Sequence, residues 1–246
     1  MSKQYIRTAL LLGEEGMEKL HNSHVAVFGV GGVGGYVVEA LARSGVGAFD
    51  LIDDDTVSLS NINRQIIATH DTIGKYKVDV MKERILSINP HWIVNVHNCF
   101  FLPDNQALFD FKTYDYVVDA IDTVSAKIAL VMCCNEAKTP IICSMGTGNK
   151  LNPQAFEVTD IYKTSIDPLA RVMRQELKKR RVKKLKVVYS KEYPLKPLVL
   201  NEEEPQNDNS TRKGNPKKVV PGSTAFVPSS AGLLIASEVV KDIIKR

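Results

Sequence analysis

Charged and amide side chains are concentrated in the stretch DDDTVSLSNINRQ, which runs from Asp53 to Gln65. Asn61 and Arg64 lie close together in it, and Lys77 follows in the sequence IGKYK. An arginine and a lysine beside an α-phosphate would stabilise the charge that develops as pyrophosphate leaves. Hydride transfer needs no such set of charges. These residue types therefore favour chemistry on a nucleoside triphosphate.

A glycine-rich turn precedes this stretch. In VAVFGVGGVGGYVVEALARSG, Gly29, Gly31 and Gly34 form a GxGxxG pattern between a predicted strand and a predicted helix. Glycines permit a tight turn and close approach of the backbone, and a helix N-terminus favours phosphate. Asp53 ends the next predicted strand, where its carboxylate would accept hydrogen bonds from ribose hydroxyls. Turn and carboxylate alone fit a dinucleotide enzyme and an ATP enzyme equally well.

Asp122 offers a carboxylate for a metal ion. It follows the predicted strand YVVDA, so we expect it at the carboxyl edge of the sheet, where ligands of open α/β folds bind. A carboxylate there would hold Mg²⁺ that bridges the phosphates. Together with Asn61, Arg64 and Lys77, it favours adenylyl transfer over hydride transfer. We therefore predict ATP and Mg²⁺ as cofactors.

The elements that position these residues alternate between strands and helices. Predicted strands are HVAVFG (24–29), FDLID (49–53), WIVNVHN (92–98), YDYVVDA (114–120) and PIICSMG (140–146), and predicted helices are 33–44, 75–88 and 124–138. This alternation predicts βαβ units and a parallel sheet. The fold class that we expect is α/β, with a Rossmann-like, mostly parallel sheet and helices on both faces.

The second part of the chain has a different pattern. DPLARVMRQELKKRR predicts a basic helix from Pro168 to Arg181, KLKVVYS predicts a strand, and a final helix is predicted to start near Pro228. Between Tyr193 and Gly222 we predict a long loop. We divide the chain into an ATP-binding adenylation core (1–150) and a C-terminal elaboration (151–246) that is integrated with the core.

Charge is unevenly distributed between these two parts. Residues 1–150 contain 13 Lys and Arg against 17 Asp and Glu, a net −4, whereas residues 151–246 contain 19 against 11, a net +8. This asymmetry predicts a polyanionic partner for the second part. No apolar run approaches the length of a membrane span, and the first twenty residues lack the apolar core of a signal peptide. We therefore expect a cytoplasmic protein without a membrane partner.

The four cysteines give no sign of a metal site. Cys99, Cys133, Cys134 and Cys143 contain no CxxC pair, so we expect no structural zinc. We predict that Cys133 and Cys134, in the apolar run IALVMCC, are buried and reduced. No cysteine follows Cys143, so the second part has no thiol nucleophile.

Four segments, GVGGVG, LIDDDTVSLSNINRQ, GKYK and DAIDT, together resemble the nucleotide-binding core of the ubiquitin-activating superfamily and its ThiF-like members. The resemblance covers residues 5–150. It implies that Asp53 binds ribose and that Asp122 supports Mg²⁺. It also implies that Asn61, Arg64 and Lys77 contact phosphates.

An early arginine of that superfamily reaches the ATP of the partner subunit in homodimers. Arg7, in YIRTALLLGEEG, matches it, so the resemblance implies a homodimer. The predicted catalytic residues are Arg7, Arg64, Lys77 and Asp122, with Asp122 also the metal ligand. The predicted nucleotide-binding residues are Gly29, Gly31, Gly32, Gly34, Asp53, Asp55, Asn61, Arg64 and Lys77.

The segment SMGTGNKLNPQAFEVTDIYKTSIDPLARVMRQELKKRR resembles the branch of the superfamily that dehydrates N6-threonylcarbamoyladenosine in tRNA. Such enzymes form an acyl-adenylate on the threonine carboxylate of the modification. The ureido group of the same modification then attacks, and AMP leaves. An intramolecular nucleophile explains why no cysteine is needed.

The resemblance also accounts for a block of basic residues. Between Arg171 and Lys186 there are nine basic residues and one acid, Glu176. Such a block is typical of contact with a phosphate backbone, although a solvated helix face would look the same. The predicted nucleic-acid contacts are Arg171, Arg174, Lys178, Lys179, Arg180 and Arg181.

Three other functions remain open from the sequence. An adenylyltransferase for a ubiquitin-like sulfur carrier would use the same ATP site, with a groove for a Gly-Gly tail. A non-catalytic subunit would typically lack the arginines or the metal carboxylate, which are present here. A dehydrogenase would leave Arg64 and Lys77 without a role.

Overall fold

A seven-stranded sheet forms the centre of the computed structural model, which describes residues 3–198 and 221–245. Its strands are β1 (His24–Phe28), β2 (Ala48–Ile52), β3 (Ile93–His97), β4 (Tyr116–Asp119), β5 (Ile141–Ser144), β6 (Phe156–Asp160) and β7 (Lys186–Ser190). They lie in the order β3-β2-β1-β4-β5-β7-β6. Neighbours pair in parallel except β6, which is antiparallel to β7. The predicted Rossmann-like, mostly parallel α/β fold is confirmed.

Helices cover both faces of this sheet. They are α1 (Ile6–His21), α2 (Gly34–Ser44), α3 (Lys77–Ile88), α4 (Val124–Ala137), α5 (Pro168–Lys179) and α6 (Phe226–Ile244). One hydrophobic cluster joins α1, α2, α3 and α6 to the sheet, while α4 and α5 share another with β5 and β7. Because β1, β2 and β4 are parallel neighbours, the loops that follow them meet at one edge of the sheet.

Local sequence signals explain where the helices begin and end. Gly45 ends α2 with φ +105, a left-handed conformation that glycine adopts without strain. The Asp167 carboxylate caps α5 by accepting a hydrogen bond from the Ala170 amide at 2.8 Å, and Pro168 occupies the first turn. α5 ends at Lys179, slightly earlier than predicted, and α6 begins at Phe226.

Two elements were missed by the sequence patterns. α1 bends at Gly13, which has φ 72 and ψ 172, so neither half is long enough to show a clear helical period. β6 is an edge strand with one buried residue, Phe156, and only its pairing with β7 defines it. The predicted loop from Tyr193 to Gly222 lies mostly outside the described residues.

The small residues of α6 face the same chain. A Cβ on Gly232 would lie 2.5 Å from the carbonyl oxygen of Val33, at the start of α2, and Ala231 and Ala236 are buried. These residues permit close packing of α6 on α2, as expected. They are therefore not free to form an interface between subunits.

Burial of the cysteines matches the prediction only in part. Cys134 and Cys143 are buried, whereas Cys133 is partly exposed and its thiol donates a hydrogen bond to Gln106 Oε1 at 3.2 Å. Burial raises the pKa of the Cys134 and Cys143 thiols well above the usual value. Among the described residues, no helix is both long and apolar enough to cross a membrane.

A polar cluster surrounds the buried carboxylate of Asp50 in β2. Its carboxylate accepts hydrogen bonds from His24 Nε2 at 2.8 Å, His97 Nε2 at 2.9 Å, Asn95 Nδ2 at 2.7 Å and the Tyr114 hydroxyl at 2.9 Å. Burial by itself raises the pKa of this carboxyl, but the four hydrogen bonds together hold it well below its usual value. The cluster ties β1, β2 and β3 together.

We predict that Asp50→Ala lowers the free energy of unfolding by roughly 3 kcal/mol at pH 7, because it leaves the buried Tyr114 hydroxyl and two partly buried histidines without their acceptor. The folded pKa lies below the unfolded value of about 3.9, so this stabilisation is present above about pH 4 and is lost as pH falls further. Urea unfolding of wild type and variant at pH 7 and pH 3 measures both effects. An equal difference at the two pH values would contradict the prediction.

Candidate active site

The glycine turn between β1 and α2 forms the floor of the site. The Gly29 amide donates to the Ile52 carbonyl at 2.8 Å, and its φ of +90 requires glycine. A Cβ on Gly29 would lie 2.6 Å from the Ala120 carbonyl oxygen, and one on Gly34 would lie 1.8 Å from the Gly29 carbonyl oxygen. These two glycines are needed for contacts within the protein.

Gly31 has a different role in the turn. Within 4 Å of a Cβ built on Gly31, the one atom found in the described structure is Gln65 Nε2, at 4.0 Å. Gly32 faces Pro228, with a Cβ contact at 3.3 Å. The space beside Gly31, at the N-terminus of α2, is therefore where the backbone can approach a phosphate.

We predict opposite results for alanine at Gly31 and at Gly34. Gly34→Ala should lower the free energy of unfolding by about 2–3 kcal/mol, because the methyl group would collide with backbone. Gly31→Ala should fold normally but bind ATP about tenfold more weakly, because the methyl would interrupt a hydrogen bond to phosphate. Thermal unfolding and ATP titration measure the two effects. Unchanged ATP affinity in Gly31→Ala would contradict this role.

Asp53 follows β2 and holds the glycine turn. Its Oδ2 accepts from the Val30 amide at 2.7 Å, and its Oδ1 accepts from the Asp55 amide at 2.9 Å. Burial raises the pKa of the Asp53 carboxyl, although the nearby charge of Lys77 opposes the shift. Each carboxylate oxygen keeps a lone pair that is able to accept from a ribose hydroxyl.

Lys77 opens α3 with its side chain buried. Its Nζ lies 2.8 Å from Asp55 Oδ2, and its amide donates to the Asp55 carbonyl at 3.0 Å. The ammonium therefore stands beside the acidic segment that ends at Asp55. This position supplies a positive charge close to the predicted nucleotide.

Two buried side chains near the turn have atoms without a hydrogen-bond partner in the described structure. They are Asn61 Nδ2 and Gln65 Oε1, in residues that are 1% and 7% exposed. Buried polar atoms in proteins are nearly always paired, so these atoms fit a bound ligand. Arg64, between them, donates through Nη1 to the Ser60 carbonyl at 2.8 Å and to Asn63 Oδ1 at 2.9 Å.

Asp122 lies where the sequence predicted, beyond the carboxyl end of β4. The Ala120 amide donates to the Phe28 carbonyl at 2.8 Å, so the segment leading to Asp122 abuts the glycine turn. The Asp122 side chain is exposed and accepts a hydrogen bond from the Thr123 hydroxyl at 3.2 Å. An exposed carboxylate at this edge of the sheet is a type of ligand that suits Mg²⁺.

Some predicted residues do not join this site within one chain. Arg7 is exposed on α1, and no described hydrogen bond or ion pair connects it to the other predicted site residues. Of the basic helix, Arg174 is engaged by Thr164, which accepts from it through both its carbonyl and its hydroxyl. Lys179 and Arg180 both pair with Glu176.

The exposed part of the basic block is therefore smaller than its composition suggests. Lys186 pairs with Asp242 at 2.7 Å and with Glu238 at 3.2 Å. Within the basic block, five exposed residues have no ion pair in the described structure: Arg171, Lys178, Arg181, Lys183 and Lys184.

No sequence pattern predicted that the segment before α6 would reach the site. Asn63 Nδ2 donates to the Ser223 carbonyl at 3.1 Å, and Pro228 covers Gly32. Asn149, after β5, accepts from the Gly222 amide through Oδ1 at 2.7 Å. Residues far apart in sequence therefore meet beside the glycine turn.

Comparison with known proteins places the chain in a family. A profile described as the ThiF family matches residues 2–246. The chain belongs to the ThiF family. Among curated members, the chain is 44% identical over 246 residues to the Bacillus subtilis (strain 168) tRNA threonylcarbamoyladenosine dehydratase, covering 100% of this chain and 96% of the relative.

A solved structure and a second relative show how much of the chain is similar to two kinds of ThiF-family protein. The Escherichia coli tRNA N6-threonylcarbamoyladenosine dehydratase in complex with ATP has a TM-score of 0.86 at 35% identity, covering 99% of this chain and 94% of that one. The Escherichia coli (strain K12) molybdopterin-synthase adenylyltransferase is 36% identical over 141 residues, 56% of each chain. Similarity to the dehydratases therefore spans the whole chain, whereas similarity to the adenylyltransferase is partial.

Proposed function

We propose that this protein catalyses the ATP-dependent dehydration and cyclisation of N6-threonylcarbamoyladenosine in tRNA through a carboxyl-adenylate. The observation that carries the proposal is full-length similarity to tRNA threonylcarbamoyladenosine dehydratases. The position of Asp53, Asn61 and Lys77 beside the glycine turn supports it. The molybdopterin-synthase adenylyltransferase shares only part of the chain. ATP is the co-substrate, as the complex of the Escherichia coli dehydratase with ATP supports.

In the first step, an oxygen of the threonine carboxylate attacks the α-phosphorus of ATP, and pyrophosphate leaves. Asp53 would hold the ribose, and Asn61 Nδ2 would donate to a phosphate oxygen. Arg64 and Lys77 would stabilise the negative charge that grows on the leaving pyrophosphate. Asp122 would hold Mg²⁺, which would supply positive charge to neutralise part of the charge of the triphosphate.

In the second step, the ureido group of the modification attacks the activated carbonyl carbon. The ureido group loses a proton, and AMP leaves with the carboxyl oxygen that it had bonded. The net change to the nucleoside is the loss of one water, while ATP becomes AMP and pyrophosphate. Since nucleophile and electrophile belong to one modification, the protein needs only to hold them in register.

One assay tests this function directly. The protein is incubated with ATP, Mg²⁺ and tRNA that carries N6-threonylcarbamoyladenosine, and AMP and the nucleoside mass are measured. We expect equal amounts of AMP and dehydrated nucleoside. ADP as product would overturn the proposal, and so would pyrophosphate exchange that responds to a small sulfur-carrier protein but not to the modified tRNA.

We also propose a homodimer in which each ATP site receives Arg7 from the other subunit. The first half of α1, before the bend at Gly13, exposes Leu10 and Leu11 at 81% and 86%, and Leu233 of α6 is 51% exposed. Such apolar surface suits a second copy of the chain. Arg7 is on the same half-helix, so a subunit that covers the leucines would meet it.

Mixing two inactive variants tests this arrangement. Arg7→Ala and Asp122→Ala homodimers should each be inactive. After subunit exchange the mixture should recover up to about a quarter of wild-type activity, because half of the dimers are mixed and each mixed dimer contains one complete site of two. Mass spectrometry of the mixture verifies subunit exchange. Full exchange without recovery of activity would show that each chain works alone.

The remaining proposals concern organisation and place of action. We retain the division into an adenylation core (1–150) and an elaboration (151–246), since β6, β7 and α6 come from the second part and join the sheet and helices of the first. A tRNA substrate is consistent with action in the cytoplasm. Limited proteolysis that releases no stable 1–150 fragment would support an integrated elaboration.

A further inference from the structure

A fully buried ion pair lies directly beneath the carboxyl edge of the sheet. Lys127 of α4 and Asp119 at the end of β4 are both 0% exposed, and Lys127 Nζ lies 2.9 Å from Asp119 Oδ2. Asp119 is paired in register with Cys143 of β5. None of the proposed steps of adenylyl transfer uses this ion pair. Its role must therefore lie in the neighbouring backbone that it fixes in place.

What it holds is the strap of residues 119–122, which ends at the predicted metal ligand. Lys127 Nζ donates to the Ile121 carbonyl at 2.9 Å, and Asp119 Oδ1 accepts from the Ile121 amide at 3.1 Å. Both polar groups of the Ile121 backbone are therefore fixed by one ion pair. Ile121 immediately precedes Asp122.

The strap is also wedged against the glycine turn. The Ala120 carbonyl oxygen would be 2.6 Å from a Cβ on Gly29, so only hydrogen fits between them. On the other side, the Lys127 amide donates to the Thr123 carbonyl at 3.0 Å. The strap therefore has the glycine turn on one side and leads into α4 on the other, and Lys127 Nζ contacts both Asp119 and Ile121 within it.

Stability alone is a weak reason for such a pair. The cost of removing two charges from water often exceeds their attraction, and well-packed apolar residues frequently replace buried pairs without loss of stability. Asp122, in contrast, is exposed, and its carboxylate accepts a hydrogen bond from the hydroxyl of the adjacent Thr123. Its position depends on the backbone that carries it.

We propose that Lys127 and Asp119 are positioning residues that fix Asp122 for the metal-bound triphosphate. The inference rests on the proposed ATP site, but its test needs no tRNA and no turnover. Residues that orient a metal ligand from behind typically contribute 10- to 100-fold to metal affinity. The measurable quantity is the gain in ATP affinity that Mg²⁺ provides, taken as the ratio of the Kd in EDTA to the Kd in Mg²⁺.

The decisive variant is the double substitution Asp119→Asn with Lys127→Met. It removes both buried charges and keeps an acceptor for the Ile121 amide, so it avoids the unpaired charge of Lys127→Met alone. The Ile121 carbonyl, however, loses its donor. We expect a Tm near that of wild type, unchanged affinity for AMP in EDTA, and a Mg²⁺-dependent gain that is about tenfold smaller.

Two further variants separate positioning from general destabilisation. Arg84→Met breaks the ion pair with Glu39 between α2 and α3, at 2.9 Å, and should lower the Tm without changing the Mg²⁺-dependent gain. Asp122→Ala should remove most of the gain, and adding Asp119→Asn with Lys127→Met to it should cause no further loss, because the buried pair acts through Asp122.

Isothermal titration with ATP and with AMP provides each ratio. A folded double variant that keeps the wild-type Mg²⁺-dependent gain would overturn the inference, and so would an additive further loss in the combined Asp122 variant. Should wild type itself show no ATP binding, the proposed function fails instead, which keeps the two outcomes distinct.

Discussion

Asp122→Ala is expected to reduce dehydration of modified tRNA by about 10³-fold while leaving the fold intact. The carboxylate is exposed and makes no contact with the hydrophobic core, so its removal costs little free energy of unfolding. The loss arises because the triphosphate would no longer be held against a positioned metal ion as pyrophosphate leaves. Single-turnover formation of AMP, with the Tm measured in parallel, tests both statements.

A matched control is Asp104→Ala, which removes an exposed aspartate from the segment Pro103–Leu108, outside the candidate site. It should retain full activity. Activity of Asp122→Ala within a few-fold of wild type would show that another group supports the metal. Pyrophosphate exchange on the same samples then reveals whether formation of the adenylate or its later cyclisation is affected.

Neutralising the unpaired basic residues of the second part is expected to weaken tRNA binding by about 10²-fold at low salt. The substitutions are Lys178→Gln, Arg181→Asn, Lys183→Gln and Lys184→Gln. Asparagine is chosen for Arg181 because that residue has φ 59, a left-handed conformation that asparagine tolerates. Each lost phosphate contact should make the slope of log K against log salt shallower by roughly 0.9.

A control variant of the same block removes two basic residues whose charges are already paired with an acid. Lys179 and Arg180 share Glu176, so the pair Lys179→Gln with Arg180→Gln should weaken binding less for each charge removed. Lys112→Gln with Lys138→Gln removes exposed charges outside the block and should have no effect on the slope. ATP affinity should remain unchanged in all of them. An unchanged slope in the fourfold variant would mean that the block is a solvated surface.

Sequence patterns predicted those parts of the fold whose cause is local. The strand–turn–helix around Gly29 and Gly34 could be predicted directly, because the turn sterically requires glycine at these two positions and their spacing is fixed. Asp53 and Asp122 were placed correctly at strand ends because parallel strands bring their carboxyl ends to one edge. β6 could not be predicted, because it is defined by its pairing with β7, which lies beyond α5 in the sequence.

The limits of prediction at the site have the same origin. Lys127 lies in the apolar run AKIALVM, where nothing local distinguishes a buried lysine from a solvated one. Pro228 covers Gly32 only because α6 returns across α2. For the basic block, the charges could be counted from the sequence, but the ion pairs with Glu176 and Asp242 that neutralise some of them could not be predicted.

The return of α6 to the glycine turn also has a consequence for biosynthesis. The ribosome completes β1, the turn and α2 long before it translates α6, so the apolar face of α2 that α6 covers stays exposed on the growing chain. Contacts between segments so distant in sequence form slowly. The nascent protein must therefore pass through a stage in which the glycine turn and α2 are made but α6 does not yet cover them, and exposed apolar surface makes such a stage prone to aggregation.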